Sequence, residues 1–223
     1  WAIDQGLTTA DQIGITGGSY GGYATLVGMT MTPEKFVAGV DIVGPSNLIT
    51  FIEAIPPYWR PMFEMLADRI GDPRTEEGRK LLKERSPLTY VDQIKHPLLI
   101  GQGANDPRVK KAESDQIVDA MQAKNIPVTY LVYPDEGHGF RKPENRMSFF
   151  ATAEYFLKEH LGGRAQPIGD DFEGSSIRVP ASASNLGPVH EKLCKPQPER
   201  CRQKKVETKP SKSSSESSEG GAK

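Results

Sequence analysis

The sequence predicts an α/β protein, a mostly parallel β-sheet with flanking helices. Three observations predict it. Four short apolar runs are each bounded by turn residues. They are rich in Ile, Val and Leu without strict alternation, as suits strands buried on both faces. Segments of helical periodicity separate them, so strand and helix alternate and form βαβ units.

The first strand is expected over Gln12–Thr16, with a helix over Gly21–Met31 that stops before Pro33. The second strand is Phe36–Val43. A long connection from Pro45 to His96 follows it, with helical stretches around Pro61–Arg69 and Glu76–Glu84. The third strand is Pro97–Gly101, followed by a helix over Lys110–Lys124 with Ile117, Val118 and Met121 on one face. The fourth is Pro127–Tyr133. Its helix, Asn145–Leu161, carries Phe149, Ala153, Phe156, Leu157 and Leu161 at helical spacing. From Pro180 onward Pro, Ser, Lys and Glu dominate and aromatic residues vanish. Such a segment buries too little apolar surface to offset its ordering entropy. The expected organisation is a domain over 1–179 and a disordered polar tail over 180–223.

Composition excludes several classes of function. A formal net charge of −1 gives no field toward nucleic acid or an anionic membrane, and no apolar run is long enough to cross a bilayer. Both cysteines, Cys194 and Cys201, fall in the expected tail, which excludes a disulfide-stapled core and makes the cytoplasm the default compartment. With His190 nearby they still fall short of a four-ligand zinc site, and no cofactor or metal is expected. The chain opens on Trp1 without a signal-peptide pattern.

Chemistry gathers at three strand ends. The first strand runs into Gly17-Gly18-Ser19-Tyr20-Gly21-Gly22 and then a helix, which is G-x-S-x-G in the strand–turn–helix setting of a nucleophile elbow. Gly17 and Gly21 are expected to remove side chains that would collide around the turn. Ser19 then sits at a helix N-terminus, where the dipole favours developing negative charge. A serine hydroxyl needs a base, and the base needs an orienting carboxylate. The third strand opens into Asn105-Asp106-Pro107-Arg108-Val109, and the fourth ends at Glu136-Gly137-His138-Gly139-Phe140. Asp106 and His138 both lie beyond the carboxyl ends of parallel strands, where α/β sheets place their sites. Ser19, Asp106 and His138 also follow the order of an α/β-hydrolase. His96 precedes a strand, His160 closes a helix where its charge suits the dipole, and His190 lies in the tail.

These three segments resemble the active-site segments of the prolyl oligopeptidase family of serine peptidases, in its dipeptidyl aminopeptidase and acylaminoacyl-peptidase branch. Ile55-Pro56-Pro57-Tyr58-Trp59 and Ser86-Pro87-Leu88 add to the resemblance, which runs from Trp1 to about Val179. It implies cleavage of short peptides through an acyl-enzyme. Ser19 would be the nucleophile, His138 the base and then the acid, Asp106 its orienter, and the Tyr20 backbone N–H an oxyanion donor. Arg108 would clamp a substrate carbonyl, with a surface ion pair as the equal alternative. Tyr58 and Trp59 would line the pocket for the residue before the scissile bond, with core packing as their alternative.

The resemblance also implies four strands before the nucleophile strand, yet only eleven residues precede Gln12. The expectation is therefore a partial α/β-hydrolase with its N-terminal strands missing, marginally stable and nearly inactive alone. Its partners would be short peptides and the absent part of the domain or a β-propeller. Two alternatives stand beside the peptidase: a non-catalytic remnant acting as an interaction module, and an esterase of the same fold.

Overall fold

The computed structural model describes residues 1–182 and 187–202. Five strands form one sheet in the order β1 (Gly14–Gly18), β2 (Ala38–Ile42), β3 (Leu98–Gly103), β4 (Val128–Tyr133) and β5 (Arg178–Ala181). The first four are parallel, and β5 pairs antiparallel with β4. Six α-helices connect them: α1 (Tyr20–Met31), α2 (Leu48–Glu53), α3 (Arg60–Ile70), α4 (Glu76–Glu84), α5 (Lys111–Ala123) and α6 (Pro143–Leu161).

Strand residues divide between the two faces of the sheet by their two-residue period. Leu98, Ile100, Val128, Tyr130 and Val132 pack with Leu26 and Met29 of α1 and with Ile117, Val118 and Met121 of α5. Ala38, Val40, Leu99, Leu131 and Tyr133 pack with Phe149, Ala153 and Phe156 of α6. Strands β3 and β4 are buried throughout, which is why their sequences do not alternate. Strand β1 is different. It pairs with β2 alone and is partly exposed, so its second edge is open among the described residues.

The polar composition beyond Pro180 misleads. Strand β5 ends at Ala181, and Val189 and Leu193 are buried against the α6 face of the core. β5 escapes a sequence reading because it holds four residues with a proline inside. Pro180 is tolerated there because an edge strand leaves one side of its backbone free of ladder bonds. A single π-helical turn, His190–Cys194, and a 3-10 turn, Pro198–Cys201, are joined by a Cys194–Cys201 disulfide. The cysteines therefore sit in folded structure, contrary to the expectation from composition. The rest of the expected tail, 183–186 and 203–223, lies outside the described residues. Cross-linking so short a loop is worth about 2 kcal/mol in the chain-entropy account. Unfolding free energies from urea titrations with and without reductant should differ by that amount; identical values would mean that the bond constrains nothing.

Candidate active site

The carboxyl ends of β1, β3 and β4 meet on one edge of the sheet, and each carries one polar residue into the same space. The β1–α1 turn is held by Gly17, where an added Cβ would lie 2.2 Å from the Gly21 carbonyl oxygen. Gly21 is not needed for space, since a Cβ there would meet nothing within 4 Å. The second required glycine is Gly22, whose Cβ would lie 2.3 Å from Asp41 Oδ1. So the elbow needs glycine at 17 and 22, not at 17 and 21. Ser19 adopts φ 59° and ψ −116°, a conformation that costs a non-glycine residue about 1–3 kcal/mol and persists only when its surroundings enforce it. Its N–H donates to the Ile42 carbonyl of β2 at 2.8 Å, one such restraint. Tyr20 opens α1, so its N–H is among the first four with no partner inside the helix. The Tyr20 side chain is exposed.

His138 Nε2 lies 2.9 Å from Ser19 Oγ, and His138 Nδ1 lies 2.8 Å from Asp106 Oδ2. Asp106 is buried, and its other oxygen accepts the backbone N–H groups of Arg108 at 2.8 Å and Val109 at 2.9 Å. The two N–H donors hold one oxygen and leave the second for the imidazole. Buried Gln102 braces this loop from below, donating to the carbonyls of Gly103 and Val109 and accepting from Ser114 of α5. The His138 loop is zipped to the Asp106 loop: Ala104 N–H donates to the Tyr133 carbonyl, and Asn105 N–H to the Glu136 carbonyl. Gly103 allows this approach, since a Cβ there would lie 2.1 Å from the Gly137 oxygen. Beyond His138, Phe140 packs on Tyr133 and Phe149 and pins the far side of the loop.

The model of the prolyl oligopeptidase family matches residues 1–164. The chain belongs to the prolyl oligopeptidase family. Dipeptidyl aminopeptidase BIII of Pseudoxanthomonas mexicana is 66% identical over 193 residues, 86% of this chain and 28% of that protein. Dipeptidyl peptidase family member 6 of Caenorhabditis elegans is 54% identical over 180 residues, 80% of this chain and 24% of that protein. Among solved structures, a puromycin-hydrolyzing peptidase of Mycobacterium tuberculosis superposes with a TM-score of 0.65 at 31% identity, covering 75% of this chain and 25% of that one. The chain thus spans about a quarter of the length of these relatives. The match with the Pseudoxanthomonas enzyme also reaches past Val179, where the resemblance was expected to end.

Within this prolyl oligopeptidase domain the other expected site residues are placed less decisively. Arg108 is exposed, and its guanidinium forms no ion pair among the described residues, so the surface-pair alternative has no partner. Tyr58 is 77% exposed and touches Trp59 edge-on at 6.2 Å between ring centroids. Neither ring joins the apolar cluster of α2, α3 and α4, so core packing does not explain them. His96 is half-buried beside β3. His160 meets Phe156 edge-on, and burial pushes its pKa down, against the charged form that its helix end would favour. Among the described residues no cluster of His, Cys, Asp or Glu could hold a metal, and no helix is long and apolar enough to cross a membrane.

Three buried carboxylic acids around the site went unread in the sequence. Glu113 of α5 accepts the N–H groups of Ser46 and Asn47 and the hydroxyl of Thr50, tying α5 to the start of α2; its pKa is raised by burial. The other two are Asp41 of β2 and Glu136 in the loop before His138. A buried acid in an apolar strand, and a Glu directly before a Gly-His-Gly, were the only signals available.

Proposed function

We propose that the chain carries the catalytic machinery of a serine-type peptidase, with Ser19, His138 and Asp106 as its triad. One observation carries this reading: a single imidazole bridges the Ser19 hydroxyl and a buried carboxylate, at 2.9 and 2.8 Å. Ser19 Oγ attacks the scissile carbonyl as its proton passes to His138 Nε2. The Nδ1–H of His138 donates to Asp106, which fixes the tautomer and stabilises the imidazolium. The Tyr20 N–H, at the positive end of α1, faces the developing oxyanion. The C–N bond then breaks, His138 gives its proton to the leaving amine, and water attacks the acyl-enzyme with His138 again as base. No cofactor enters any step.

Short peptides are the proposed substrates, and the names of the two similar dipeptidyl peptidases suggest release of N-terminal dipeptides. Arg108, Tyr58 and Trp59 are the proposed substrate contacts, Arg108 because a guanidinium fork suits oxygen acceptors. The open edge of β1 supports further strands or a β-propeller domain as partners, and low turnover by this chain alone. The disulfide favours an oxidising compartment over the cytoplasm expected from composition.

Fluorophosphonate labelling of the purified chain tests the triad, with Ser19→Ala as control. Labelling that disappears in the variant is the expected result; labelling that persists sinks the assignment of the nucleophile. Dipeptidyl anilides against simple esters then separate peptidase from esterase.

A further inference from the structure

We infer that Glu136 and Asn145 are positioning residues for His138, acting through a hydrogen-bonded clamp that ties the His138 loop to the segment after α6. The inference rests on the triad proposed above. His138 stands between two glycines, Gly137 and Gly139, which face each other across a single β-bridge; Gly139 has φ +83°. A loop of this kind has little stiffness of its own. Yet a general base misplaced by about 1 Å can lose some hundredfold in rate. Something outside the loop must fix the ring.

Glu136 is 3% exposed, and both of its carboxylate oxygens are spent on this one loop. Oε2 accepts the Arg141 N–H at 3.0 Å, and Oε1 accepts the Lys142 N–H at 2.9 Å and the Asn145 side-chain amide at 2.9 Å. The carboxylate therefore joins the chain two residues before His138 to the chain three and four residues after it. The Glu136 backbone carbonyl meanwhile accepts the Asn105 N–H, so the same residue sets the height of His138 over the Asp106 loop.

Asn145 is fully buried in the first turn of α6 and uses both ends of its amide. Nδ2 donates to Glu136 and to Asp135 Oδ1, the latter at 3.0 Å. Oδ1 accepts the Ser175 hydroxyl at 3.0 Å and the Ser176 N–H at 2.9 Å. Asp135 is also held by Lys142 and by the Ser176 hydroxyl, which keep its carboxyl down at about 2 and so ionised. The Ser175 carbonyl in turn accepts from Arg200, beside the disulfide at Cys201. A path of buried and part-buried polar contacts therefore runs from the disulfide-closed turn to the loop that carries His138. A buried carboxylate and a buried amide persist only when their bonds are satisfied, and here the bonds that satisfy them are those that shape the loop.

The test uses the full chain with histidine labelled in its ring nitrogens, and Glu136→Gln beside wild type. Glutamine offers one oxygen where the loop needs two acceptors, and its NH2 would face a backbone N–H. The expected result is that the downfield His138 Nδ1–H resonance broadens or disappears, and that fluorophosphonate inactivation at Ser19 slows at least tenfold, with an unchanged far-UV spectrum. Ser175→Ala, which removes one of three donors to Asn145 Oδ1, is expected to do the same more weakly. A folded Glu136→Gln chain with a wild-type resonance and wild-type labelling overturns the inference. Should that variant not fold, wild-type behaviour of Ser175→Ala overturns it equally. Should the wild-type chain not label at all, the triad proposal fails, while the resonance still decides whether the clamp orients the ring.

Discussion

Replacing Asp106 with Asn should slow reaction at Ser19 by about four orders of magnitude while leaving the fold intact. The geometry dictates which way the new amide must turn. Oδ1 of Asp106 accepts two backbone N–H groups, from Arg108 and Val109, so the carbonyl oxygen of an asparagine has to take that place. Its NH2 then faces His138 Nδ1, where the carboxylate now accepts at 2.8 Å. An NH2 can only donate there, so Nδ1 loses its proton and the imidazole carries it on Nε2. That nitrogen lies 2.9 Å from Ser19 Oγ and would donate to the hydroxyl instead of accepting from it. The imidazole is present, in place and in the wrong tautomer. Inactivation kinetics with a fluorophosphonate, alongside urea unfolding, check both halves of the expectation. A loss of only a few-fold with normal stability would mean that Asp106 does not set the tautomer.

Strand ends carried most of what could be read from the sequence. Elements β2, β3 and β4 were legible because burial on both faces writes runs rich in Ile, Val and Leu without strict alternation, and α4 was legible to the residue. The three triad candidates were legible because each follows such a run directly, so local pattern and chain order sufficed. What escaped depends on contacts between distant segments. Asn47 starts α2 by accepting the Ile49 N–H, but six residues are too few to show a helical period. β5 and the turns behind it are held by Val179, Val189 and Leu193 reaching the α6 face, and no local signal marks three apolar residues among polar ones as inward. The elbow glycines show the same limit. The motif singles out Gly21, whereas the crowded position is Gly22, because its neighbour Asp41 comes from another strand.

Asp41 is where the second large effect is expected. It sits on β2 opposite Gly17, fully buried beneath the elbow, with Oδ1 accepting the Gly44 N–H at 2.9 Å. Among the described residues its Oδ2 is the one buried side-chain oxygen or nitrogen with no hydrogen-bond partner. Burial pushes its pKa up to about 7, the Gly44 N–H opposing only part of the shift. In the unfolded chain the group titrates near the ordinary value of 3.8. Between these two values the folded state holds a proton that the unfolded state has released, so stability falls as pH rises. The contribution is complete below about pH 4 and lost by about pH 7, and a shift of some three units corresponds to about 4 kcal/mol. Asn at this position does not titrate. It leaves a buried NH2 without an acceptor, a cost of about 1–3 kcal/mol that is the same at every pH. Asp41→Asn should therefore be no more stable than wild type near pH 4 and should gain on it steadily, ending ahead at pH 8. Taking the difference between the two chains cancels every other titrating group, including Glu113, whose raised pKa acts in the same direction. Paired urea titrations from pH 4 to 8 give that difference. A constant offset would mean that Asp41 is ionised in the fold, and that solvent or a donor reaches Oδ2 beneath the Ser19 turn.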